Sequence, residues 1–208
     1  MVLNSDQIVT SPGHKISVLK NKIEMPDKVK LIQKTEVLLV NIKYKVTDEN
    51  KKNKLFKCES KTAVDNFKIT DNNKKTVYKF NLKKAKGDFL NLFINDKNGK
   101  EEKVVSIEKS NSSYRNVFII RYTNEETHKE EVLYAYVYDR KTDFFYGGRQ
   151  IEGGLLICEC GRYDFKKQVY DIEFAPDVDK TFLFILMLSL TRYVQAHNMD
   201  LPLYMGGF

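Results

Sequence analysis

Tryptophan is absent from the 208 residues, and cysteine, proline and histidine number only 3, 4 and 3. Cysteines at 58, 158 and 160 are too few and too odd in number for a disulfide framework, which fits a reducing compartment. Four Pro and ten Gly exclude a collagen-like or linker-dominated chain. No run of about 18 uncharged apolar residues is present, so an ordinary membrane-spanning helix is not expected. Met1 leads into Asn4, Ser5 and Asp6 without a basic-then-apolar stretch, so no secretory signal is read and the expected location is cytoplasmic. His14, His128 and His197 lack a Cys or His at metal-ligand spacing, and there is no nucleophile elbow, phosphate loop or His-Glu-x-x-His. An enzyme is therefore not expected, nor a cofactor.

Hydrophobic and aromatic residues are plentiful, at 42% and 12%, enough for a sizeable core. Charge is uneven. Residues 1–87 hold 20 Lys, no Arg and 9 carboxylates, whereas residues 88–208 hold 15 basic and 19 acidic groups. Such asymmetry suggests a basic face for an anionic partner. Arg is the better fork for base edges and its absence here disfavours nucleic acid, leaving anionic membrane lipid or a membrane-apposed protein. Lysines filling solvated loops account for the same numbers equally well.

From Val37 onward the dominant period is two, as in Val40, Ile42, Tyr44 and Val46. Roughly ten strands follow, among them Leu55–Cys58, Phe67–Ile69, Val77–Leu82, Phe89–Asn95, Lys103–Ile107, Val117–Tyr122, Val132–Tyr138, Phe144–Tyr146, Leu155–Cys160 and Gln168–Phe174. Asp71-Asn72-Asn73-Lys74 and the Asn98-Gly99 step mark hairpins. Lys15–Leu19 is a further candidate strand, Val29–Ile32 has weak periodicity, and residues 1–36 are left as an arm or first strands. Gly147-Gly148 and Gly153-Gly154 read as turns. Cys158 and Cys160, two residues apart, read as small buried hydrophobes, with lipidation as the alternative. Asp139 and Asp143 look like ordinary turn residues.

One helix is expected, at 178–197, about 30 Å long and capped by Asp177 or Asp179. It is apolar nearly all round between Phe182 and Leu190, so it must be surrounded, yet its unbroken apolar run, Phe182–Leu188, is too short to cross a bilayer. A helix enclosed by a closed sheet satisfies both conditions. Residues 37–198 then form one barrel, followed by an apolar tail at 199–208.

Tyr170-Asp171-Ile172-Glu173-Phe174-Ala175-Pro176-Asp177-Val178-Asp179-Lys180, followed by the hydrophobic helix, resembles the strand, Asp-x-Asp turn and helix of phospholipid scramblases. Asn66-Phe67-Lys68-Ile69-Thr70-Asp71 is similar to the Phe-x-Ile-x-Asp hairpin of LURP-one-related chains. Both belong to the tubby C-terminal-like superfamily. The resemblance implies a closed antiparallel barrel of twelve strands threaded by the last helix, and lipid head-group recognition by surface cations. Lys43 and Lys45, Lys51 and Lys52, and the cluster Lys74, Lys75, Lys79, Lys83, Lys84 and Lys86 are the candidate phosphoinositide ligands. The alternative is a scaffold in a larger assembly, docking through Tyr134, Tyr136 and Tyr138 of an aromatic strand and Leu203, Tyr204 and Phe208 of the tail. Scramblase-like transport is a second alternative. It needs a calcium cage, and Lys166 and Lys167 between Asp164 and Asp171 make a poor one.

Overall fold

The computed structural model describes residues 8–20, 22–35, 41–61, 66–95, 99–110, 116–138, 141–161, 164 and 169–197. Twelve strands run as one antiparallel meander: β1 (Lys28–Thr35), β2 (Asn41–Asp48), β3 (Lys54–Lys61), β4 (Asn66–Thr70), β5 (Thr76–Lys84), β6 (Phe89–Asn95), β7 (Glu101–Ser110), β8 (Asn116–Thr123), β9 (Glu130–Val137), β10 (Thr142–Tyr146), β11 (Leu155–Cys160) and β12 (Val169–Phe174). The first strand pairs with the last, Leu31 opposite Tyr170, so the sheet closes and no long edge remains. The closing strand β1 lies in the stretch where the sequence shows only weak periodicity. Its alternation, Lys28 and Lys30 outside with Val29 and Leu31 inside, lasts four residues before Ile32 breaks it.

The helix α1 (Lys180–His197) fills the barrel. Every residue from Thr181 to Leu190 is buried, which a helix lying on a sheet could not achieve. Phe184 meets Phe56 on β3 edge to face at 5.2 Å, and Phe182 lies 5.7 Å from Tyr122 on β8, near the opposite wall. Helix and walls thus form one core. Cys58, Cys158 and Cys160 are all buried. Burial pushes their thiols up from the usual range, so they behave as small hydrophobes.

The helix begins two residues later than expected because Asp179 is the cap: its Oδ1 accepts the Phe182 N–H at 3.0 Å. Asp177 instead sits in the turn before it with φ 62°. The other oxygen of Asp179 accepts the N–H groups of Val18 (3.1 Å) and Leu19 (2.8 Å). Lys15–Leu19, expected as a strand, is therefore an extended strap with no strand partner among the described residues. It crosses the end of the barrel where the helix begins. Its amides are satisfied by Asp179, by the Asp177 carbonyl and by the Asn124 side chain, which is why all of Ile16, Ser17, Val18 and Leu19 can be buried without a ladder.

Thr181 and Lys180 continue the staple, the first bonding the Ile23 backbone and the second the Met25 carbonyl. At the same end Glu131 accepts from Tyr122 (2.8 Å), Asn124 (2.9 Å) and His14 (3.2 Å). Burial works to raise the Glu131 carboxyl, but these bonds outweigh it and hold it below the usual range. Of the double glycines, Gly154 has a steric reason: a Cβ there would lie 2.1 Å from the Gly148 carbonyl oxygen.

Candidate functional site

The candidate lysines separate into three groups once the strands are closed into a ring. Lys51 and Lys52 occupy the β2–β3 turn, and Lys74 and Lys75 the β4–β5 turn. Both turns lie at the helix-entry end of the barrel and are joined by an Asn72 side-chain bond to the Lys54 carbonyl at 2.7 Å. Lys84 and Lys86 lie at the opposite end, about 27 Å away along the nine-residue β5. The sequence cluster from Lys74 to Lys86 is thus not one site. Lys83 projects outward from β5 but is engaged, paired with Glu101 and lying 4.7 Å from the Phe93 ring centre. Its hydrogen bond, with one from Asn81, holds the Glu101 carboxyl below its usual range.

The third group lies on the outer wall of β2–β5. Alternation turns Tyr44, Phe56, Ile69 and Phe80 inward, so Lys43, Lys45, Lys57, Lys68 and Lys79 point out. Register sets Lys45 directly opposite Lys57, and Lys68 directly opposite Lys79. Glu59 stands between the pairs, opposite Lys43 on one side and Lys68 on the other. Lys45, Lys57, Lys68 and Lys79 form no ion pair among the described residues. Directly opposed like charges destabilise a sheet by a few tenths of a kcal/mol per pair. Two such pairs with one carboxylate among them leave a cationic surface on the barrel wall. Lys57 and Lys68 were not among the sequence candidates. The available signal was the period-two reading itself, which places Lys57 out between Phe56 and Cys58, and Lys68 out between Phe67 and Ile69.

Tyr134, Tyr136 and Tyr138 project outward on the far side of the ring, since β9 and β10 stand six places from β3 and β4. Tyr136 is buried there, edge to face with Phe145 at 5.3 Å, in a small cluster with Val117 and Leu156 that is separate from the core. Leu203, Tyr204 and Phe208 lie outside the described residues, as does Asp139. Asp143, expected as a turn residue, lies within β10 and is 4% exposed. Burial raises its carboxyl to about 6, against the pull of Lys141 at 3.2 Å.

At the end where the helix emerges, Tyr44, Thr142, Cys160, Tyr170 and Thr191 line a cleft of about 20 Å³, room for a water and not for a head group. Among the described residues no three His, Cys, Asp or Glu side chains converge as a metal site. No helix among them is long and apolar enough to cross a membrane.

A family model described as LURP-one-related matches residues 29–191, from β1 to the last third of the helix. The chain belongs to the LURP-one-related family. That family lies within the tubby-like superfamily, and the twelve-stranded barrel around a C-terminal helix matches the architecture expected from the resemblance. No curated protein and no solved structure matches the chain. The LURP-one-related match ends at Thr191, whose hydroxyl meets that of Thr142 on β10 at 3.2 Å, so it takes in the wall and most of the plug together.

Proposed function

We propose that this LURP-one-related chain is a non-enzymatic binding module that recognises anionic membrane lipid head groups of the phosphoinositide type. The β2–β5 wall would carry the contact, with the turn lysines Lys51, Lys52, Lys74 and Lys75 at its rim. The observation that carries the reading is the pair of directly opposed lysine couples, Lys45/Lys57 and Lys68/Lys79. They cost the sheet stability and gain nothing from any described carboxylate except the shared Glu59. A multiply phosphorylated head group supplies the missing negative charge, each lysine contributing about 1 kcal/mol near an anionic surface. The tightly filled barrel supports an external site over an internal one.

Sedimentation with phosphatidylcholine vesicles, with and without phosphatidylinositol bisphosphate, tests this at about 0.1 M salt. Binding should require the phosphoinositide and weaken as salt rises. Replacing Lys45 and Lys57 with Glu reverses two charges and should lower affinity by about 30-fold or more. Lys84→Glu/Lys86→Glu, at the far end, should change it by no more than a few-fold. Lys57→Glu also serves as its own folding control, because the new cross-strand pair with Lys45 should stabilise the fold by about 0.2–1 kcal/mol. Equal sedimentation with neutral vesicles, or equal losses from both double variants, would reject the site.

A further inference from the structure

Two turns at the helix-entry end repeat one pattern in sequence and in space. Asp48-Glu49-Asn50-Lys51-Lys52 leads from β2 toward β3, and Asp71-Asn72-Asn73-Lys74-Lys75 leads from β4 to β5. In each, the N–H of the first lysine donates to the Asp carbonyl, at 3.0 Å for Lys51 and 3.2 Å for Lys74. In each, the N–H of the second lysine donates to the Asp Oδ1 at 2.8 Å. Both carboxylates are thus turned onto backbone amides, which fixes the turns. Glu49 is the only further carboxylate in the two segments. The Asn72 side-chain bond to the Lys54 carbonyl ties the copies together.

Both copies hold the first lysine in the left-handed region, Lys51 at φ 60° and Lys74 at φ 63°. A residue with a Cβ is disfavoured there and glycine is not. The sequence carries the pattern a third time, as Asp96-Lys97-Asn98-Gly99-Lys100, and there the matching position is Gly99 at φ 80°. Two copies of three therefore keep a lysine where the backbone favours glycine. The fold does not repay them: Lys51, Lys52, Lys74 and Lys75 are exposed and form no ion pair among the described residues. Residues held against their backbone preference cluster at ligand clamps.

Neighbouring hairpins of one sheet lie two strand spacings apart, about 10 Å. Flexible lysines on both turns can close on one small anion that carries several phosphate groups. A lone phosphate would be held by one turn.

We propose that the paired Asp-x-Asn-Lys-Lys turns form a clamp for a polyanion bearing two or more phosphate monoesters. Lys51 and Lys52 form one jaw, and Lys74 and Lys75 the other. The clamp rests on the reading of this side of the barrel as anion-binding, and it adds where the phosphates are gripped: at the barrel end, beyond the opposed lysines of the wall. The chemistry is the same for a soluble inositol phosphate and for a phosphoinositide head group.

Calorimetry of the full-length protein with soluble inositol trisphosphate, at about 0.1 M salt, tests the clamp without a membrane. The parent should bind it, and should bind inorganic phosphate about tenfold more weakly or worse. Lys51→Gly/Lys74→Gly should weaken trisphosphate binding about 10–30-fold. The same variant should unfold at the parent's temperature or a few degrees higher, because glycine suits both left-handed positions. Lysines kept for the fold would give the reverse. No binding by the parent, an unchanged affinity in the glycine variant, or a lower unfolding temperature would overturn the clamp.

The wall variant Lys45→Glu/Lys57→Glu separates this proposal from the lipid reading. It should change trisphosphate binding by no more than a few-fold. Trisphosphate binding lost in the wall variant but kept in the glycine variant would refute the clamp alone. Trisphosphate binding lost in the glycine variant, with vesicle sedimentation that ignores phosphatidylinositol bisphosphate, would uphold the clamp for a soluble ligand and refute the lipid reading alone.

Discussion

Asp179 joins the helix, the strap and the barrel mouth through one carboxylate, so its removal should be felt in all three. In Asp179→Ala the Phe182 N–H loses its cap, a change that costs about 1 kcal/mol in typical helices. The Val18 and Leu19 amides lose their only side-chain acceptor in a place where Asp179 itself is 1% exposed. A buried amide left unpaired costs about 1–3 kcal/mol, so the three losses together come to roughly 3–7 kcal/mol if no water enters. That is a large fraction of the 5–15 kcal/mol available to an ordinary domain.

Asp179→Asn keeps one acceptor oxygen and turns a donor toward the other amides, and should lie between the variant and the parent. Urea unfolding gives the stability, and hydrogen exchange at Ile16–Leu19 gives the local effect. The strap amides should exchange faster in Asp179→Ala even under conditions where β6 and β7, remote from the strap, keep their protection. A loss below about 1 kcal/mol, or strap exchange no faster than in the parent, would refute the account of Asp179 as the group holding the strap to the helix.

Two further substitutions probe buried polar groups. Ser189 lies on the enclosed part of the helix and its hydroxyl has no partner, so Ser189→Ala should stabilise the fold by about 1 kcal/mol in the same urea assay; a loss would show that the hydroxyl is satisfied. Asp143 has the opposite pH signature from a salt-bridged carboxylate. Its folded value of about 6 lies above the ordinary 3.8, so the favourable protonated form is fully present below about pH 4 and is lost as pH rises through 6. Asp143→Asn should therefore stabilise the protein by about 2–3 kcal/mol above pH 7 and by almost nothing near pH 4; a difference independent of pH would show that the carboxyl titrates normally.

Most of the architecture was legible because burial dictates period. Strands with one face on the helix alternate, and Val77–Leu82 or Val117–Tyr122 show it plainly. The helix declared itself because an element apolar all round has to be enclosed. What failed were readings in which neighbours in sequence stood in for neighbours in space. Lys74 and Lys86 are twelve residues apart and looked like one cluster, but an extended strand carries them to opposite ends of the barrel. Lys57 and Lys68 looked incidental, yet pairing places each directly opposite another lysine. Strand register, which no local pattern states, makes the difference. Lys15–Leu19 has the alternation of a strand but bonds side chains and turns in place of a ladder. Asp143 reads as a turn residue until the aromatic outer wall is seen to bury it.

The filled interior also decides where recognition must occur. In a barrel this size a side chain pointing inward meets the helix, as Phe56 meets Phe184, and the cleft described at the exit end has room only for a water. Among the described residues, a ligand larger than water therefore meets outward positions. Those are the positions where selection for the core is silent, so a charged or aromatic residue there reflects solvation or contact. On one wall the outward positions carry opposed lysines with little described negative charge between them. On the opposite wall they carry aromatics already shut from water. The first wall is cationic and the second aromatic and dry, so the two outer faces of one barrel offer different chemistry to a partner.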